Sequence, residues 1–293
     1  MQSRFAYHLL ALGIVVVWGT TFVSTKILLL GGLSPQEIFF YRFLLAYLLM
    51  AAYYHRRLWA DSLKDELLLA FAGICGGSLY FYTENTALTY TATNNIALIL
   101  CIAPLITALL LRLFSRSKTT PLTKKFWIGS LIALAGVSCV ILNGHFVLHL
   151  SPKGDLLCLA ASLCWGFYTV CVKKLETKYN NLFITRKVFF YGLLTIIPLY
   201  LFSFQAESLS LLRQPAVWGN LLYLGLIASL LCFLFWNKVL TKIDPIQATN
   251  YIYLSPVVTA SASFLILHEP LTPVMVAGAA LTIGGVYLAS RKK

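Results

Sequence analysis

The sequence predicts an all-α membrane protein: ten transmembrane helices arranged as two inverted five-helix repeats, with both termini cytoplasmic. Three observations carry this reading. Of the 293 residues, 59% are hydrophobic and only 11% charged, against about 25% charged in a soluble domain. The apolar residues fall into evenly spaced runs of bilayer length. The second half of the chain repeats landmarks of the first. The abundance of aromatic residues, 14% of the chain, also excludes intrinsic disorder.

A bilayer span needs roughly 20 apolar residues, and a short loop brings the unit to about 29. Hydropathy then places spans at 6–29, 35–54, 66–89, 91–114, 124–143, 152–175, 182–204, 217–240, 244–267 and 272–290. The first is too long for a signal peptide, carries Trp18 and Lys26, and has no small-residue cleavage site after it. The chain leaves no room for a soluble domain.

Orientation follows from the basic residues, which gather in cytoplasmic loops. With the N-terminus inside, that side collects 19 of the 23 Lys and Arg, and only Lys153 and Arg213 lie in outer loops. The remaining two, Lys26 and Arg42, lie within spans. The net charge of +13 is thus a topology signal and calls for no nucleic acid. The predicted location is the inner membrane. All seven cysteines sit in apolar runs without a C-x-x-C pair and read as small core residues.

A shift of 147 overlays Trp18-Gly19 on Trp165-Gly166 and Lys26 on Lys173. A shift of 152 overlays Gly73, Asn85, Pro104 and Thr107 on Gly225, Asn237, Pro256 and Thr259. A shift of 149 overlays Gly129 and Gly136 on Gly278 and Gly285. The repeats are therefore 1–147 and 148–293. Five spans is an odd number, so the second copy enters the membrane inverted. Inverted repeats give two near-equivalent conformations, open to opposite sides, with the substrate site between them at midplane.

The Trp-Gly of the first span, the run Ala87-Leu88-Thr89-Tyr90-Thr91-Ala92 with Pro104 beyond it, and the closing stretch Leu267-His268-Glu269-Pro270-Leu271-Thr272-Pro273 followed by Gly278, Gly284-Gly285 and Tyr287 resemble the EamA-type drug/metabolite transporter superfamily. The resemblance covers essentially the whole chain. It departs from the pattern in the first half, where Ser117 stands in place of Glu269. It implies a ten-helix transporter, with export of amino acids or related metabolites as the commonest activity.

Ionisable side chains inside a membrane need a partner or a wet cavity. Lys26, Arg42 and Glu84 lie at a shared depth, about 6–9 Å below the outer boundary at 1.5 Å per residue. Together they would form a cluster of net charge +1 suited to a carboxylate. The alternative is a structural Arg42–Glu84 pair with Lys26 snorkelling outward. The position matching Glu84 in the second half is Trp236, so recognition by charge is not symmetric.

Trp18, Phe22 and Lys26 share one helical face, as do Trp165, Thr169 and Lys173, and the two faces could wall a central path. Pro104 and Pro256 each remove a backbone donor near midspan, kinking the helix and freeing a carbonyl. Asn95, Asn250 and Tyr253 on the same spans, with Tyr80, Asn85 and Asn237, supply hydrogen-bonding groups along the path. Interhelical bonding is the alternative role for all of them.

Enzyme signatures are missing. No phosphate-cradling G-x-x-x-x-G-K-[ST] exists, and no acidic or histidine cluster forms a metal centre; His145 and His149 stand four apart in an outer loop without a further ligand. The expectation is a non-enzymatic secondary transporter without cofactor, exporting a small amino-acid-like or aromatic metabolite by alternating access. Glu84 is its candidate proton carrier. A lipid-handling or flippase-like subunit is the rival class. The sequence leaves monomer and homodimer both open.

Overall fold

The protein was analysed as a computed structural model that describes residues 4–55, 57–91, 93–114, 122–142, 151–204, 208–267 and 272–290. The side chains of 93–95 and 263–267 lie outside that description, as do Ser117, His145, His149 and Glu269. Among the described residues the chain is helical and holds no strand.

The first half contains α1 (Arg4–Leu30), α2 (Pro35–Tyr53), α3 (Leu63–Tyr90), α4 (Thr93–Leu100), α5 (Ala103–Phe114) and α6 (Lys124–Leu142). The second contains α7 (Pro152–Leu175), α8 (Asn181–Ser203), the short α9 (Ser208–Leu211), α10 (Pro215–Lys242), α11 (Pro245–Thr249), α12 (Ser255–Leu267) and α13 (Pro273–Ser290). Each of the ten predicted segments falls on helix among the described residues, the fourth and ninth in more than one piece. Among the described residues, eight runs are long and apolar enough to cross a membrane: Arg4–Leu30, Leu63–Tyr90, Ile96–Phe114, Lys124–Leu142, Pro152–Leu175, Asn181–Ser203, Pro215–Lys242 and Pro273–Ser290. The predicted spans at 35–54 and 244–267 are absent from that set. Pro35–Tyr53 is diluted by Glu37, Arg42 and three tyrosines, and 244–267 is broken at its centre by a 3₁₀ segment, Asn250–Leu254.

Polar residues at helix starts satisfy backbone donors that the helix itself leaves free. Ser34 and Glu37 close α2 with a capping box, with Pro35 in the first turn. Asn180 caps α8 by accepting from the Phe183 amide at 2.8 Å. The α1–α2 turn closes through the Leu33 amide bonded to the Leu28 carbonyl, a geometry that puts Gly32 at φ 100°.

The two halves meet where small residues let backbones touch. A Cβ at Gly129 would lie 2.7 Å from the Gly285 carbonyl oxygen, and one at Gly136 would lie 2.6 Å from that of Gly278. Gly129 and Gly278 are repeat mates, as are Gly136 and Gly285. Each glycine thus packs on the mate of the other, and α6 runs antiparallel to α13. The same exchange joins the other helices. Gly19 on α1 packs against Val258 of α12, while its mate Gly166 on α7 packs against Leu110 and Ile106 of α5. Gly73 on α3 packs against Tyr191 of α8, while Gly225 on α10 packs against Leu45 of α2. Equivalent helices related by a pseudo-twofold axis require these reciprocal contacts.

Both α3 and α10 widen into π-helical turns at matching places, Ile74–Ser78 and Tyr223–Leu231. Such turns re-aim the side chains that follow them and are common at functional sites. At the start of α3, Glu66 accepts from Lys187 and Tyr191 of α8, and Lys178 donates to Asp65 at 2.9 Å. The hydrogen bond from Lys178 to Asp65 raises the lysine ammonium above its ordinary value.

Two outcomes test this packing. Gly136→Leu should drive a side chain into the α13 backbone and cost about 1–3 kcal/mol or more, whereas Gly13→Ala, which meets nothing within 4 Å inside α1, should hold or slightly raise the thermal melting point. Lys187→Met should strand the mostly buried Glu66 carboxylate and destabilise by about 3–5 kcal/mol. The double change Lys187→Met with Glu66→Gln should recover most of that loss in the same melt.

Candidate functional site

The charged and aromatic landmarks of the sequence converge on one cavity of about 70 Å³, midway along the bundle and between the two repeats. Val15, Trp18, Thr21 and Phe22 of α1 form one wall and Trp165 of α7 faces them. Arg42 of α2 and Tyr80, Phe81 and Glu84 of α3 supply the polar side, and Phe233 of α10 lies across from them. The remaining wall comes from Ala97, Leu100, Cys101 and Ala103 at the α4–α5 junction, and from Ile252 and Ser255 at the start of α12.

That last wall explains the two prolines. Neither kinks a continuous helix at midspan. Instead the chain stops at Leu100, turns through Cys101 and Ile102, and restarts at Ala103 with Pro104 in the first turn. Its mate Pro256 likewise follows the 3₁₀ segment and opens α12. A proline has no N–H to continue the preceding ladder, so helical order breaks just before it. Leu100 and Ile252, four residues before each proline, are the residues whose carbonyls lose that donor, and both line the cavity. Irregular backbone at membrane depth is tolerated where it borders a cavity.

The aromatic wall is built about the pseudo-twofold axis. Trp18 and Trp165 meet edge to face at 5.2 Å between centroids. Phe81 and Phe233 approach to 6.2 Å, and Phe43 and Phe189 to 5.0 Å. Edge-to-face pairs add about 0.5–1.5 kcal/mol each beyond burial, so the axis is also a stiff seam. Trp18 is fixed further by its indole N–H, which donates to the Ala228 carbonyl at 3.1 Å.

The three membrane charges are arranged as neither one cluster nor an Arg42–Glu84 ion pair. Lys26 does not join Arg42 and Glu84: its Nζ donates to the Leu88 carbonyl at 3.4 Å, and it is not part of the cavity wall. Arg42 and Glu84 do share the cavity, yet they form no ion pair. Among the described residues the ion pairs are Arg57–Asp61, Lys173–Glu176, Lys178–Asp65 and Lys187–Glu66. Arg42 Nε donates to Ser229 Oγ at 2.9 Å, and its guanidinium lies 4.4 Å above the Phe81 ring. Glu84 Oε1 accepts from the Tyr80 hydroxyl at 2.9 Å. Both charges are almost fully buried, at 2% and 8% exposure.

Several residues expected along the path are placed elsewhere by tertiary packing. Asn85 donates to the Pro35 carbonyl at 3.4 Å and ties α3 to α2. Asn237 accepts from Tyr168 at 2.6 Å and donates to Thr185 at 3.0 Å, a fully buried tie between α7, α8 and α10. Thr169 bonds back to the Trp165 carbonyl at 3.0 Å, and Asn250 reaches Ser290 at 3.4 Å. Tyr253 is packed against α6 and α13 in a separate core cluster. Trp236 is fully buried behind the wall, 5.0 Å from Trp18. None of these groups lines the cavity. Asn95 belongs to α4, but its side chain lies outside the described residues.

Among the contributors that the sequence reading did not name, three stand out. Phe233 touches Trp18, Phe43, Phe81, Trp165, Tyr168 and Phe189. Its signal was present, because Phe81 and Phe233 are identical under the shift that pairs Asn85 with Asn237. Phe81 itself carries the same signal. Ser229 carried none, since a lone serine in an apolar run reads as filler. The cysteines are core residues as expected: six of the seven are buried, and all are free.

Comparisons with known proteins agree with this architecture. The chain is 29% identical over 290 residues to an "Uncharacterized transporter" of Archaeoglobus fulgidus, covering 98% of each. It is 28% identical over 295 residues to a "Probable amino-acid metabolite efflux pump" of Salmonella typhimurium, covering 95% of this chain and 93% of that protein. A solved crystal structure shares the fold with a TM-score of 0.79 at 17% identity, covering 98% of this chain and 99% of the other. The model of the EamA-like transporter family matches twice, at residues 5–142 and 152–291, once in each half of the structure. This chain belongs to the EamA-like transporter family.

Proposed function

We propose that the protein is a secondary transporter of the inner membrane that exports small amino-acid-like or aromatic solutes by alternating access, and that the Arg42–Glu84 cavity is its substrate site. The observation that carries this reading is two opposite, unpaired charges held in an aromatic-walled cavity on the pseudo-twofold axis. A charge in so apolar a place is costly unless a ligand or water completes it. The antiparallel exchange between 1–147 and 148–293 supports a rocking motion about that axis. The name of the Salmonella relative supports the solute class. At about 70 Å³ the cavity is well below the roughly 300 Å³ at which ligand clefts begin, so the helices must part to admit a solute. The broken junctions at Pro104 and Pro256 are the places where they can.

In this reading all ten helical segments span the bilayer, including 35–54 and 244–267, and both termini are cytoplasmic. Reporter fusions to each terminus should both be active only in the cytoplasm. Efflux from proteoliposomes tests the site. Because Arg42 and Glu84 are held by different partners, Arg42→Met and Glu84→Gln should each insert and fold. Each should raise KM about 10- to 100-fold, the worth of a charge-assisted hydrogen bond of about 1.5–3 kcal/mol. Unstable single variants rescued by the double variant would instead mark the charges as structural.

Glu84 is also the acidic group placed to carry a coupling proton. An imposed proton gradient should accelerate efflux by the unmodified protein. Glu84→Gln should remove that acceleration while leaving downhill exchange measurable. Efflux indifferent to the gradient before any substitution would exclude coupling through Glu84.

A further inference from the structure

The two charged groups of the cavity are held in a way that transport alone does not require. Buried opposite charges attract strongly in a low-dielectric interior, and a flexible Arg and Glu sharing one cavity would be expected to collapse together. Here each is tied at one atom by a different neutral partner: Arg42 Nε by Ser229 and Glu84 Oε1 by Tyr80. Among the described residues nothing else hydrogen-bonds either side chain. The two terminal amino groups of Arg42 and the second oxygen of Glu84 have no hydrogen-bond partner among the described residues, and both residues line the cavity.

The internal repeat supplies a control within the same chain. The N-caps Ser34 and Asn180 align α2 with α8, and Phe81/Phe233 and Asn85/Asn237 align α3 with α10. In that register Val188 stands where Arg42 does, and Gly77 stands where Ser229 does. Likewise Trp236 stands for Glu84, and Cys232 for Tyr80. Each charge and the group that holds it are present together on one side of the pseudo-twofold axis and absent together at the symmetry-related place, although Ser229 comes from the second repeat and Arg42 from the first. A hydroxyl that served only helix packing would not need to track the charge. Ser229 also lies within the π-helical turn of α10, and the matching turn of α3 uses Gly77 only for close approach to Gly192 and Phe43.

We infer that Ser229 and Tyr80 are positioning residues that hold Arg42 and Glu84 apart, so that a single solute bearing both a carboxylate and an ammonium group bridges them. The inference rests on the cavity being the substrate site. The carboxylate meets the free amino groups of Arg42, the ammonium meets the free oxygen of Glu84, and an apolar body lies against Trp18, Trp165 and Phe233. A solute with only one of the two charges leaves the other charge of the site buried and unpaired, and sites built around buried polar groups reject such analogues strongly.

The test uses the full chain in proteoliposomes, with tryptophan fluorescence for binding and efflux for transport. The probes are L-phenylalanine, 3-phenylpropionate, which lacks the amine, and phenethylamine, which lacks the carboxylate. Phenylalanine should bind at least about 100-fold more tightly than either analogue. Ser229→Ala should raise KM for phenylalanine about tenfold with the maximal rate within about twofold, and Ser229→Thr should restore it. In Ser229→Ala the freed Arg42 turns to Glu84, so adding Glu84→Gln should restore 3-phenylpropionate binding to within about tenfold of phenylalanine on the unmodified protein. A merely structural serine would show no such gain. Equal binding of the three probes, an unchanged KM in Ser229→Ala, or no gain in the double variant overturns the inference. Phe22→Trp, which fills the cavity, separates the two readings. If the probes bind alike and Phe22→Trp abolishes binding, only the charge separation fails. If no probe binds, or Phe22→Trp leaves efflux intact, the site assignment fails with it.

Discussion

The reciprocal contact of Gly129 with Gly285 and of Gly136 with Gly278 brings α6 and α13 together backbone to backbone and in opposite directions. In a bilayer, where apolar side chains are as well solvated by lipid as by protein, helices associate by close packing and shared hydrogen bonds. Gly-to-Gly approach is the tightest form of that packing. Once the last helices of the two halves are locked antiparallel, every other equivalent pair is related by the same axis. Gly19 must then find α12 where Gly166 finds α5, and Gly73 must find α8 where Gly225 finds α2. The central aromatic seam and the cavity beside it are consequences of that locking.

Symmetry of the backbone does not carry over to the chemistry. On the axis the two halves contribute matched groups: two tryptophans, two pairs of phenylalanines and two proline-broken junctions. Away from it they diverge, with Arg42, Ser229, Tyr80 and Glu84 answered by Val188, Gly77, Cys232 and Trp236. The backbone packing is thus repeated on both sides of the axis, while the charged contacts belong to one side of it. A duplicated fold can keep its packing symmetric while its side-chain chemistry diverges, because the two are set by different positions on the same helices.

The ion pairs follow a related division. Lys187–Glu66 and Lys178–Asp65 lie at helix ends, pair directly, and tie α3 to α8 and to the turn before it. Arg42 and Glu84 lie within the bundle, form no ion pair, and each bonds a neutral partner, Ser229 and Tyr80. Paired charges hold the fold; unpaired ones remain available for chemistry.

Much of the architecture was legible in the residues alone. Span positions follow from the length of apolar runs, because a bilayer imposes one length on every crossing helix. The repeat follows from Trp-Gly, Pro and Gly landmarks, because those residues cannot be exchanged where backbones touch or break. The involvement of Trp18, Phe22, Trp165, Arg42, Tyr80 and Glu84 was also readable, since each is either expensive in lipid or placed on a shared face. Tertiary structure alone decided which polar groups meet. Lys26 has a side chain long enough to reach several partners, and only packing directs it to Leu88. Asn85, Asn237 and Asn250 can bond a solute or a neighbouring helix equally well, and helix proximity settles the matter. Ser229 is invisible in a hydropathy trace, and it gains its role only because α10 crosses α2 at Arg42, a contact between residues 187 positions apart.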